Sequence, residues 1–548
     1  IEFVISAGAF EEKSAPKEAL AKTGFEVIQP RGTALTTGHF EPGARFAYYA
    51  HIVNSVSFYL HSHHNAGPVD PRIFGGFLEH MGRAVYEGVF DPSSRHADKF
   101  GCRIDVLAAL AELEFTVMRY PGGNFVSNYH WRDGVGPVET RPIRRELAWG
   151  TIEPNSFGTD EFLGLCERTG WSPMFSVNLG TGSPEEAADW VEYTNGALGT
   201  DITRKRQSGG NSAPTRVPLW CLGNEMDGPW QIGHISAAEY GSKARQAAHM
   251  MKLVDPSIEL VVSGTSLPDN TTYLDWDREA LEAVGGFADY VSTHRYLDNW
   301  SNDTAAFLTS GAAVDQQIAE IDAVCRYVAG RRRSGRRPFI AFDEWNVWYR
   351  TRNRSGTWAD GAFPAHLVEE VYDLQDALVC AQFLLSFIRN AHVVKIANIA
   401  QIVNVIAPVL TDGDNLLRQS IFEALSMFVG RRHGISLHVG YDGGQVPSPD
   451  FGDVAMVDGA AILDVNHELH VYAVNRSVDE TVELEINLAG ADLEMLSMDV
   501  LHHSDPATQN TWEAPNAVKR VPGEMSNGAR RVMKLPPHSF TAATMSVS

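Results

Sequence analysis

The sequence is poor in cysteine and has no long apolar run. Its five cysteines are Cys102, Cys166, Cys221, Cys325 and Cys380. They form no CxxC pair, and their odd number and scattered spacing indicate buried thiols in a reducing compartment rather than a disulfide framework. No run of about 18 or more apolar residues occurs, so the sequence predicts no transmembrane helix. We expect a cytoplasmic protein, with secretion after removal of an export signal as the alternative.

Positive charge is scarce as well. Lysine and arginine number 45 against 68 aspartates and glutamates, which gives a formal net charge of −23. An acidic balance of this size argues against nucleic acid or an anionic membrane surface as a partner, and it fits a protein that acts on a neutral ligand. The hydrophobic share of 44% and the charged share of 21% are those of an ordinary globular protein.

Short apolar runs alternate with helical stretches from about residue 72 to residue 430, and no Gly-rich dinucleotide-binding loop interrupts them. The predicted strands are 72–78, 115–120, 173–179, 217–224, 258–264, 288–294, 338–343 and 394–400. The predicted helices are 103–114, 160–169, 184–195, 236–254, 277–284, 313–330, 370–390 and 418–429, the last one capped by Gly430. Eight such units predict an α/β fold, a (β/α)8 TIM barrel over residues 72–430.

The pattern changes after the barrel, where helical periodicity fades. Residues 461–465, 469–474 and 481–488 read instead as short strands in which apolar and polar side chains tend to alternate. Alternation of this kind places one side of each strand in a core and the other in solvent. Short strands separated by turn residues predict an all-β sandwich domain over residues 431–548.

The residues before the barrel fall into two parts. Residues 54–71 begin with the strand-like run Asn54–Leu60, which we expect to add a strand to the C-terminal sandwich. Residues 1–53 contain short apolar patches without a clear period, so they form an N-terminal extension whose structure the sequence leaves open. The cluster His61–His64 has the composition of a metal-binding run, but a solvated turn before the barrel is the stronger interpretation.

Two glutamates follow apolar runs of strand length. Glu225 comes after Pro218–Leu222, and Glu344 comes after Phe339–Phe342. Because the active sites of barrel enzymes lie at the C-terminal ends of the strands, we expect these carboxyl groups to meet there. Two carboxyls about 5 Å apart can cleave a glycosidic bond with retention, one as acid and one as nucleophile. We expect the ionised nucleophile to raise the pKa of the acid; a structural ion pair is the alternative for either glutamate taken alone.

Two further clusters carry weaker signals. Glu79-His80 has the composition of a metal-binding pair, but no third ligand follows at a suitable spacing, so the sequence predicts no metal and no other cofactor. The run Arg331–Arg337 suggests an anion site by its composition. It joins a predicted helix to the seventh strand, at the end of the barrel opposite the expected site, and arginines there favour a helix C-terminus. We interpret it as a solvated loop.

The residues around both glutamates resemble those of one enzyme family. Gly223–Gln231 (GNEMDGPWQ) is similar to the acid/base segment of the α-L-arabinofuranosidases of glycoside hydrolase family fifty-one, which belong to clan A of the retaining glycosidases. Phe342–Tyr349 (FDEWNVWY) is similar to the nucleophile segment of that family. Three more blocks resemble it, namely Gly76–Arg83, Arg119–Ser127 and Ala400–Ile406. Together these strings cover the barrel nearly end to end, and ordered strings of this length are specific.

The resemblance implies a role for each matching residue. Glu225 is the expected general acid/base and Glu344 the expected nucleophile. The expected substrate-binding residues are Glu79, Asn124, Trp149, Asn224, Tyr296 and Gln401, with Asn224 on the sugar 2-hydroxyl and Tyr296 orienting the nucleophile. His294, at the end of the sixth strand, is expected to hold these residues in place without contacting the substrate itself. Two structural alternatives stay open, because Asn124 follows two glycines and suits a tight turn, and Trp149 suits the core.

The implied activity is that of a retaining glycoside hydrolase. We expect release of terminal, non-reducing α-L-arabinofuranosyl residues from arabinan, arabinoxylan or arabino-oligosaccharides by double displacement, without a cofactor. The resemblance also implies a homo-oligomer, commonly a hexamer. The alternative among enzymes is a clan A glycosidase for another sugar, a β-xylosidase or an endoglucanase. A catalytically silent carbohydrate-binding protein is the alternative outside enzymes, and the presence of both glutamates argues against it.

Overall fold

Eight parallel strands close into a barrel in the computed structural model. They are β1 (Gly75–Phe77), β2 (Val117–Tyr120), β3 (Ser172–Ser176), β4 (Leu219–Leu222), β5 (Glu259–Val262), β6 (Tyr290–Leu297), β7 (Phe339–Val347) and β8 (Val394–Ala400). Strand β8 pairs with β1, with Ile399 opposite Gly76, and this pairing closes the barrel. All eight predicted strands are confirmed. The structure describes residues 54–197, 199–210, 213–349, 358–524 and 531–548, so the extension 1–53 lies outside the described residues.

The barrel strands are buried on both faces, which is why they read as nearly continuous apolar runs. Successive side chains of β4 point to opposite faces of the sheet. Leu219 and Cys221 pack inside the barrel with Val261 and Ile396. Trp220 packs instead in the larger core that includes the surrounding helices. Apolar packing on both faces therefore fixes the register of the strands, and with it the height at which their C-terminal residues emerge.

The described helices mostly follow the predicted ones. They span Ile104–Ala111, Thr159–Thr169, Pro184–Asn195, Asp201–Ser208, Ala237–Val254, Asp275–Val284, Thr304–Thr309, Ala312–Arg331, Leu374–Arg389 and Ser420–Ser426. The helix predicted over 184–195 is confirmed. Ser183 caps its N-terminus, because the Ser183 hydroxyl accepts a hydrogen bond from the backbone N–H of Glu186 (3.1 Å). The predicted end at Gly430 is wrong, since the last helix stops at Ser426. None of the described helices is long and apolar enough to span a bilayer.

Two polar stretches at the periphery are ordered by local contacts. The helix Asp201–Ser208 was not predicted; it lies in a polar, Gly-rich stretch and is capped by Thr200. The arginine-rich loop that leads into β7 is largely exposed. Within it, the Arg336 side chain lies 2.6 Å from an Asp289 oxygen. Because Asp289 immediately precedes β6, this pair lies at the N-terminal end of the barrel, opposite the end where barrel sites form.

Two sheets face each other in the C-terminal part. One has seven strands, in the order Asn65–Pro68, Ile435–Leu437, Val457–Leu463, Glu468–Asn475, Ser539–Val547, Leu493–Leu501 and Val521–Pro522. The other has four, in the order Gly440–Asp442, Asn54–Leu60, Val482–Leu488 and Val532–Leu535. Phe58 and Ile486 of the smaller sheet share one core with Val471 and Met545 of the larger sheet. The predicted all-β sandwich is confirmed.

Hairpins complete the architecture. They pair Arg144–Arg145 with Ile152–Glu153, Val409–Asp412 with Asn415–Arg418, and Gln445–Ser448 with Gly452–Ala455. The first of them lies in the long connection that follows β2, between its end and the helix Thr159–Thr169. A connection of this length at the C-terminal end of a barrel strand is where such folds place residues that contact ligands.

Aromatic rings join the barrel to the sandwich. Phe428 follows the last barrel helix and stacks on Tyr472, with ring centroids 4.7 Å apart, and on Phe540, at 5.4 Å. Phe74, just before β1, lies 6.2 Å from the same ring. Tyr472 and Phe540 belong to the seven-stranded sheet. One buried ring therefore contacts both parts of the molecule, so its packing supports the position of the sandwich on the barrel.

We expect Phe428→Ala to lower the free energy of unfolding by about 3–5 kcal/mol, because it removes a buried ring and leaves a cavity between barrel and sandwich. Chemical denaturation followed by tryptophan fluorescence measures this change. Phe100→Ala is the matched control, since the Phe100 ring is 51% exposed and its loss should cost little. Equal losses for the two variants would contradict a special role of Phe428 at the junction.

Candidate active site

A cavity of about 370 Å³ opens at the C-terminal ends of the barrel strands. It is lined by Phe77, Glu79, Met81, Gly123, Asn124, Ala148, Trp149, Glu225, Trp230, Leu267, Tyr296, Glu344, Trp348, Trp358, Gln401 and Ile406. Seven of the nine residues singled out in the sequence therefore meet at one cavity. The other two, Asn224 and His294, are not part of this lining; both are buried beside it.

Glu225 and Glu344 bring their carboxylates together. Glu225 stands three residues beyond the end of β4, as expected. Glu344 lies within β7, which continues to Val347 instead of ending before the glutamate as predicted. One carboxylate oxygen of each residue and one ring nitrogen of His294 all lie within 4.8 Å of one another. Retaining glycosidases place their carboxyls about 5–5.5 Å apart and inverting ones about 6.5–9.5 Å, so the spacing fits retention.

Arg119 connects three polar groups beneath the cavity. Its Nη1 donates to Glu344 Oε1 at 2.6 Å, its Nη2 donates to Asn224 Oδ1 at 2.6 Å, and its Nε lies 3.3 Å from Asp343 Oδ2. The side chain is 1% exposed, so these charge-assisted contacts are shielded from water. No role for Arg119 was predicted. The available signal was a lone charge inside the apolar strand β2, because a buried charge requires partners.

Tyr296 and Asn224 differ in how they are engaged. The Tyr296 hydroxyl donates to Glu344 Oε2 at 2.9 Å, which is the contact expected of a residue that orients this carboxylate. The ring of Tyr296 packs against Trp348, with centroids 5.0 Å apart. Asn224 Nδ2 has no hydrogen-bond partner among the residues that the structure describes. A buried donor without a partner is costly, so this amide is available to a bound ligand.

Glu225 is hydrogen-bonded at both carboxylate oxygens. Trp230 Nε1 donates to Oε2 at 2.7 Å, and His294 Nδ1 lies 3.0 Å from Oε1. Burial raises the pKa of Glu225, but the hydrogen bond and charge of His294, with help from Trp230 and Arg119, outweigh burial and lower the pKa. The predicted rise of this pKa next to Glu344 is therefore wrong for this arrangement. The sequence could not show the lowered pKa, because His294 lies on a different strand and meets Glu225 only in the folded structure.

Glu79 accepts three hydrogen bonds at the cavity wall. The Phe125 backbone N–H donates to Oε1 at 3.0 Å, and Trp149 Nε1 donates to the same oxygen at 3.1 Å. Gln401 Nε2 donates to Oε2 at 3.1 Å. Burial and the charge of Glu344 raise the pKa of Glu79 to about 8, although the hydrogen bonds from Phe125 and Trp149 oppose the rise. Three predicted residues, from three separate parts of the chain, thus form one polar cluster.

The backbone next to Glu79 must come very close to it. A Cβ atom at position 123 would lie 2.9 Å from Glu79 Oε2 and 3.3 Å from Glu344 Oε1, so only glycine fits without a shift. Asn124 follows and opens a 3-10 helix, Asn124–Asn128, while its side chain lines the cavity. The segment at Gly123 and Asn124 therefore forms both the tight turn and part of the cavity wall.

Trp149 lies on a loop held by a buried carboxylate. The Glu146 carboxylate accepts hydrogen bonds from the backbone N–H groups of Ala148 (2.5 Å) and Trp149 (2.6 Å). The Ala359 backbone N–H donates to the Trp149 carbonyl at 2.8 Å and so ties the loop to the segment that carries Trp358. Trp149 is 8% exposed and lines the cavity, so it forms the wall rather than the interior of the core.

Several histidines and carboxylates have the composition of metal ligands. His80 lies 2.8 Å from Glu153 and 2.9 Å from the Tyr120 hydroxyl, and both ring nitrogens are thereby engaged. The cluster at 61–64 is an exposed turn. Among the described residues, two groups bring three ligand atoms within 4.8 Å of one another: Glu225, His294 and Glu344, and Asp464, Glu468 and His470. The expectation of a metal-free protein stays a prediction.

The fold and the paired carboxylates define a glycoside hydrolase of the barrel type. Comparison with known proteins makes this class specific. Residues 109–308 match the α-L-arabinofuranosidase 1 domain, and residues 343–539 match the α-L-arabinofuranosidase C-terminal domain. An intracellular exo-α-(1→5)-L-arabinofuranosidase 1 of Bacillus subtilis (strain 168) is 41% identical over 463 residues, which are 84% of this chain and 92% of that protein. An exo-α-(1→6)-L-arabinofuranosidase of Bifidobacterium longum is 38% identical, over 87% of this chain and 94% of that protein.

Solved structures agree with these relatives. A family 51 α-L-arabinofuranosidase from Bifidobacterium longum superimposes with a TM-score of 0.86 at 34% identity and covers 89% of this chain and 99% of its own. An α-L-arabinofuranosidase from Thermotoga maritima, solved as an arabinose complex, gives 0.80 at 29% identity, over 90% and 99%. The chain belongs to the α-L-arabinofuranosidases of glycoside hydrolase family 51, as its motifs indicated.

We expect Arg119→Met to lower the free energy of unfolding by about 3–5 kcal/mol, because it leaves the buried carboxylates of Asp343 and Glu344 without their cation. Denaturant titration at neutral pH measures the loss. Arg204→Met is the control, since the Arg204 side chain is 61% exposed and should change stability by less than about 0.5 kcal/mol. A stability of Arg119→Met equal to that of the control would contradict the electrostatic role.

Proposed function

We propose that this protein is a retaining exo-α-L-arabinofuranosidase. It releases terminal, non-reducing α-L-arabinofuranosyl residues from arabinan, arabinoxylan or arabino-oligosaccharides. The observation that carries the proposal is the approach of the Glu225 and Glu344 carboxylates to within 4.8 Å at one cavity, a spacing suited to double displacement. Membership of the family supports arabinofuranose as the sugar.

Glu344 is the proposed nucleophile. Arg119 and Tyr296 each donate one hydrogen bond to it, so the carboxylate is oriented for attack on the anomeric carbon. Glu225 donates a proton to the leaving oxygen in the first step and accepts one from water in the second. Asn224 uses its unpaired Nδ2 to hold the sugar 2-hydroxyl next to the reacting carbon, a contact that strengthens in the transition state. No cofactor takes part in these reaction steps.

The proposed sugar subsite lies between the glutamates and the polar cluster of Glu79. Glu79 and Asn124 bind the outer hydroxyls of the furanose, and Gln401 and Trp149 line the subsite. Because Glu79 is itself fixed by three donors, a substrate hydroxyl meets an oriented carboxyl group rather than a mobile one. A sugar with a different hydroxyl pattern leaves buried polar groups without partners, and this cost supplies specificity.

The leaving group faces more open, aromatic surroundings. Trp230 and Trp358 line the cavity and are 45% and 50% exposed. Flat apolar rings tolerate sugars in several orientations.

The relatives are named for different linkages, 1→5 in Bacillus subtilis and 1→6 in one Bifidobacterium longum enzyme. We propose 1→5-linked arabinan fragments as substrates, and an intracellular location, because the Bacillus protein is named for both. The homo-oligomer stays a prediction.

Aryl glycosides separate the proposed sugar from its alternatives. We expect release of nitrophenol from the aryl α-L-arabinofuranoside and little or none from the aryl β-xyloside and β-glucoside, measured as kcat/KM at neutral pH. The physical reason is the fixed set of hydrogen-bonding partners around Glu79. Turnover of the xyloside or the glucoside alone would keep the carboxylate pair but exclude arabinofuranose as the sugar.

Substitution of each glutamate separates the two proposed roles. Glu344→Ala is expected to lose about four or more orders of magnitude in kcat on every aryl arabinofuranoside, because no covalent intermediate can form. Glu225→Ala should spare the first step for nitrophenyl leaving groups, which need little protonation, and azide should restore turnover as arabinofuranosyl azide of retained configuration. Glu185→Ala, at an exposed position of the helix Pro184–Asn195, is the control. Azide rescue of Glu344→Ala with retention would reverse the assignment.

A further inference from the structure

His294 stands between the two glutamates and a third carboxylate. Its Nδ1 lies 3.0 Å from Glu225 Oε1 and 3.6 Å from Glu344 Oε2. On the other side of the ring, Nε2 lies 3.4 Å from Asp343 Oδ1 and 3.1 Å from Ser292 Oγ. The ring is 2% exposed. Its protonation is therefore set by these neighbours rather than by solvent.

The charges around His294 come from several strands of the barrel. The groups that face the ring or its direct partners are Glu79 after β1, Arg119 on β2, the Cys221 thiol on β4, Glu225 after β4, Ser292 and Tyr296 on β6, and Asp343 and Glu344 on β7. Three ionised carboxylates beside the single guanidinium of Arg119 would leave two buried negative charges without a partner, which is costly. A protonated His294 reduces that excess to one.

The pKa values around the ring follow the same pattern. Burial lowers the pKa of His294, but the charges of Glu344, Asp343 and Glu225 raise it to about 10. Burial raises the pKa of Asp343, but Arg119 and His294 bring it down to about 2. The pKa of Glu225 is lowered as well. At neutral pH the proton between His294 and Glu225 thus resides on His294, whereas protonation of a leaving group requires it on Glu225.

We propose that His294 stores the proton that Glu225 delivers to the leaving group, and that Asp343 is the positioning residue that keeps this store filled. The inference rests on the proposed roles of Glu225 and Glu344. Asp343 contacts Nε2, so it holds the ring with Nδ1–H directed at Glu225 Oε1. Donor and acceptor are already at hydrogen-bond distance, and the transfer requires no rearrangement of the chain.

The proton count balances through the cycle. The Nδ1 proton of His294 passes to Glu225, which leaves a neutral ring and a neutral carboxyl group. A bond then forms between Glu344 and the anomeric carbon while the bond to the leaving oxygen breaks, and that oxygen takes the proton from Glu225. In the second half, water gives a proton to Glu225, its oxygen bonds to the anomeric carbon, and the bond to Glu344 breaks. The proton on Glu225 returns to His294, and the net change is hydrolysis.

The pH dependence of kcat/KM tests the role of Asp343. Asp343→Asn keeps the shape of the side chain but removes its charge, so the pair formed by His294 and Glu225 should hold its proton less tightly. We expect the alkaline limb of the profile to move to lower pH by about one unit or more. Asp277→Asn is the matched control, because it also replaces a buried aspartate by asparagine, but one that Thr265 holds away from His294 and Glu225. Its alkaline limb should stay with that of the wild type.

A purely structural role of Asp343 gives a different result. In that case Asp343→Asn lowers the rate at every pH and leaves the alkaline limb in place, which would overturn the inference. If Asp343→Asn does not fold, His294→Gln supplies the same test, because Glu225 then binds its proton without the store. Its alkaline limb should also fall, and the loss in kcat should be larger for an arabinobiose leaving group than for a dinitrophenyl one, which needs no proton.

A spectroscopic readout separates this inference from the proposed function. In the wild-type protein labelled with ¹⁵N-histidine, at pH 8, the signal that disappears in His294→Gln should be that of an imidazolium ring. In Asp343→Asn the same signal should shift toward a neutral ring. A neutral His294 in the wild type would overturn the inference even if the protein hydrolyses arabinofuranosides. An inactive wild type with a charged His294 would instead refute the proposed function.

Discussion

The site at the C-terminal ends of the barrel strands depends on the buried guanidinium of Arg119. It lies between Asp343 and Glu344 of β7 and Asn224, which follows β4, and it orients all three by directed contacts. A buried carboxylate without such a partner would take up a proton or require contact with water. The apolar interior of the barrel keeps water away, so the same burial that makes these charges costly also makes their contacts strong.

The other contacts around Arg119 hold the side chains of the site in fixed orientations before a ligand binds. Glu79 is fixed by three donors, and Trp149 is fixed through the two backbone bonds to Glu146. Gly123 supplies the close approach that such crowding requires. Preorganised groups of this kind do not pay for reorientation during the reaction, and this is a major source of transition-state stabilisation.

The barrel strands were predictable because strands buried on both faces are nearly continuous apolar runs. Their order followed from the alternation with helices. Glu225 and Glu344 were predictable because each follows such a run. Arg119 was not, because nothing in the sequence around β2 says which carboxylates lie across the barrel. The lowered pKa of Glu225 was missed for the same reason, since His294 is 69 positions away in the chain. The helix over 184–195 was located well because its periodicity is a local signal, whereas the predicted end at Gly430 relied on residue type alone.

The amino-acid sequence by itself determined the class of fold and the family, and it singled out the two glutamates, because these inferences depend on local periodicity and on strings of neighbouring residues. The tertiary structure decided which charges meet, how far apart the carboxylates lie and in which direction the pKa values of Glu225 and His294 shift. Coulombic interactions and hydrogen bonds depend on separation in space, and the closing of β8 onto β1 brings together groups from the whole length of the barrel. No pattern along the chain contains those distances.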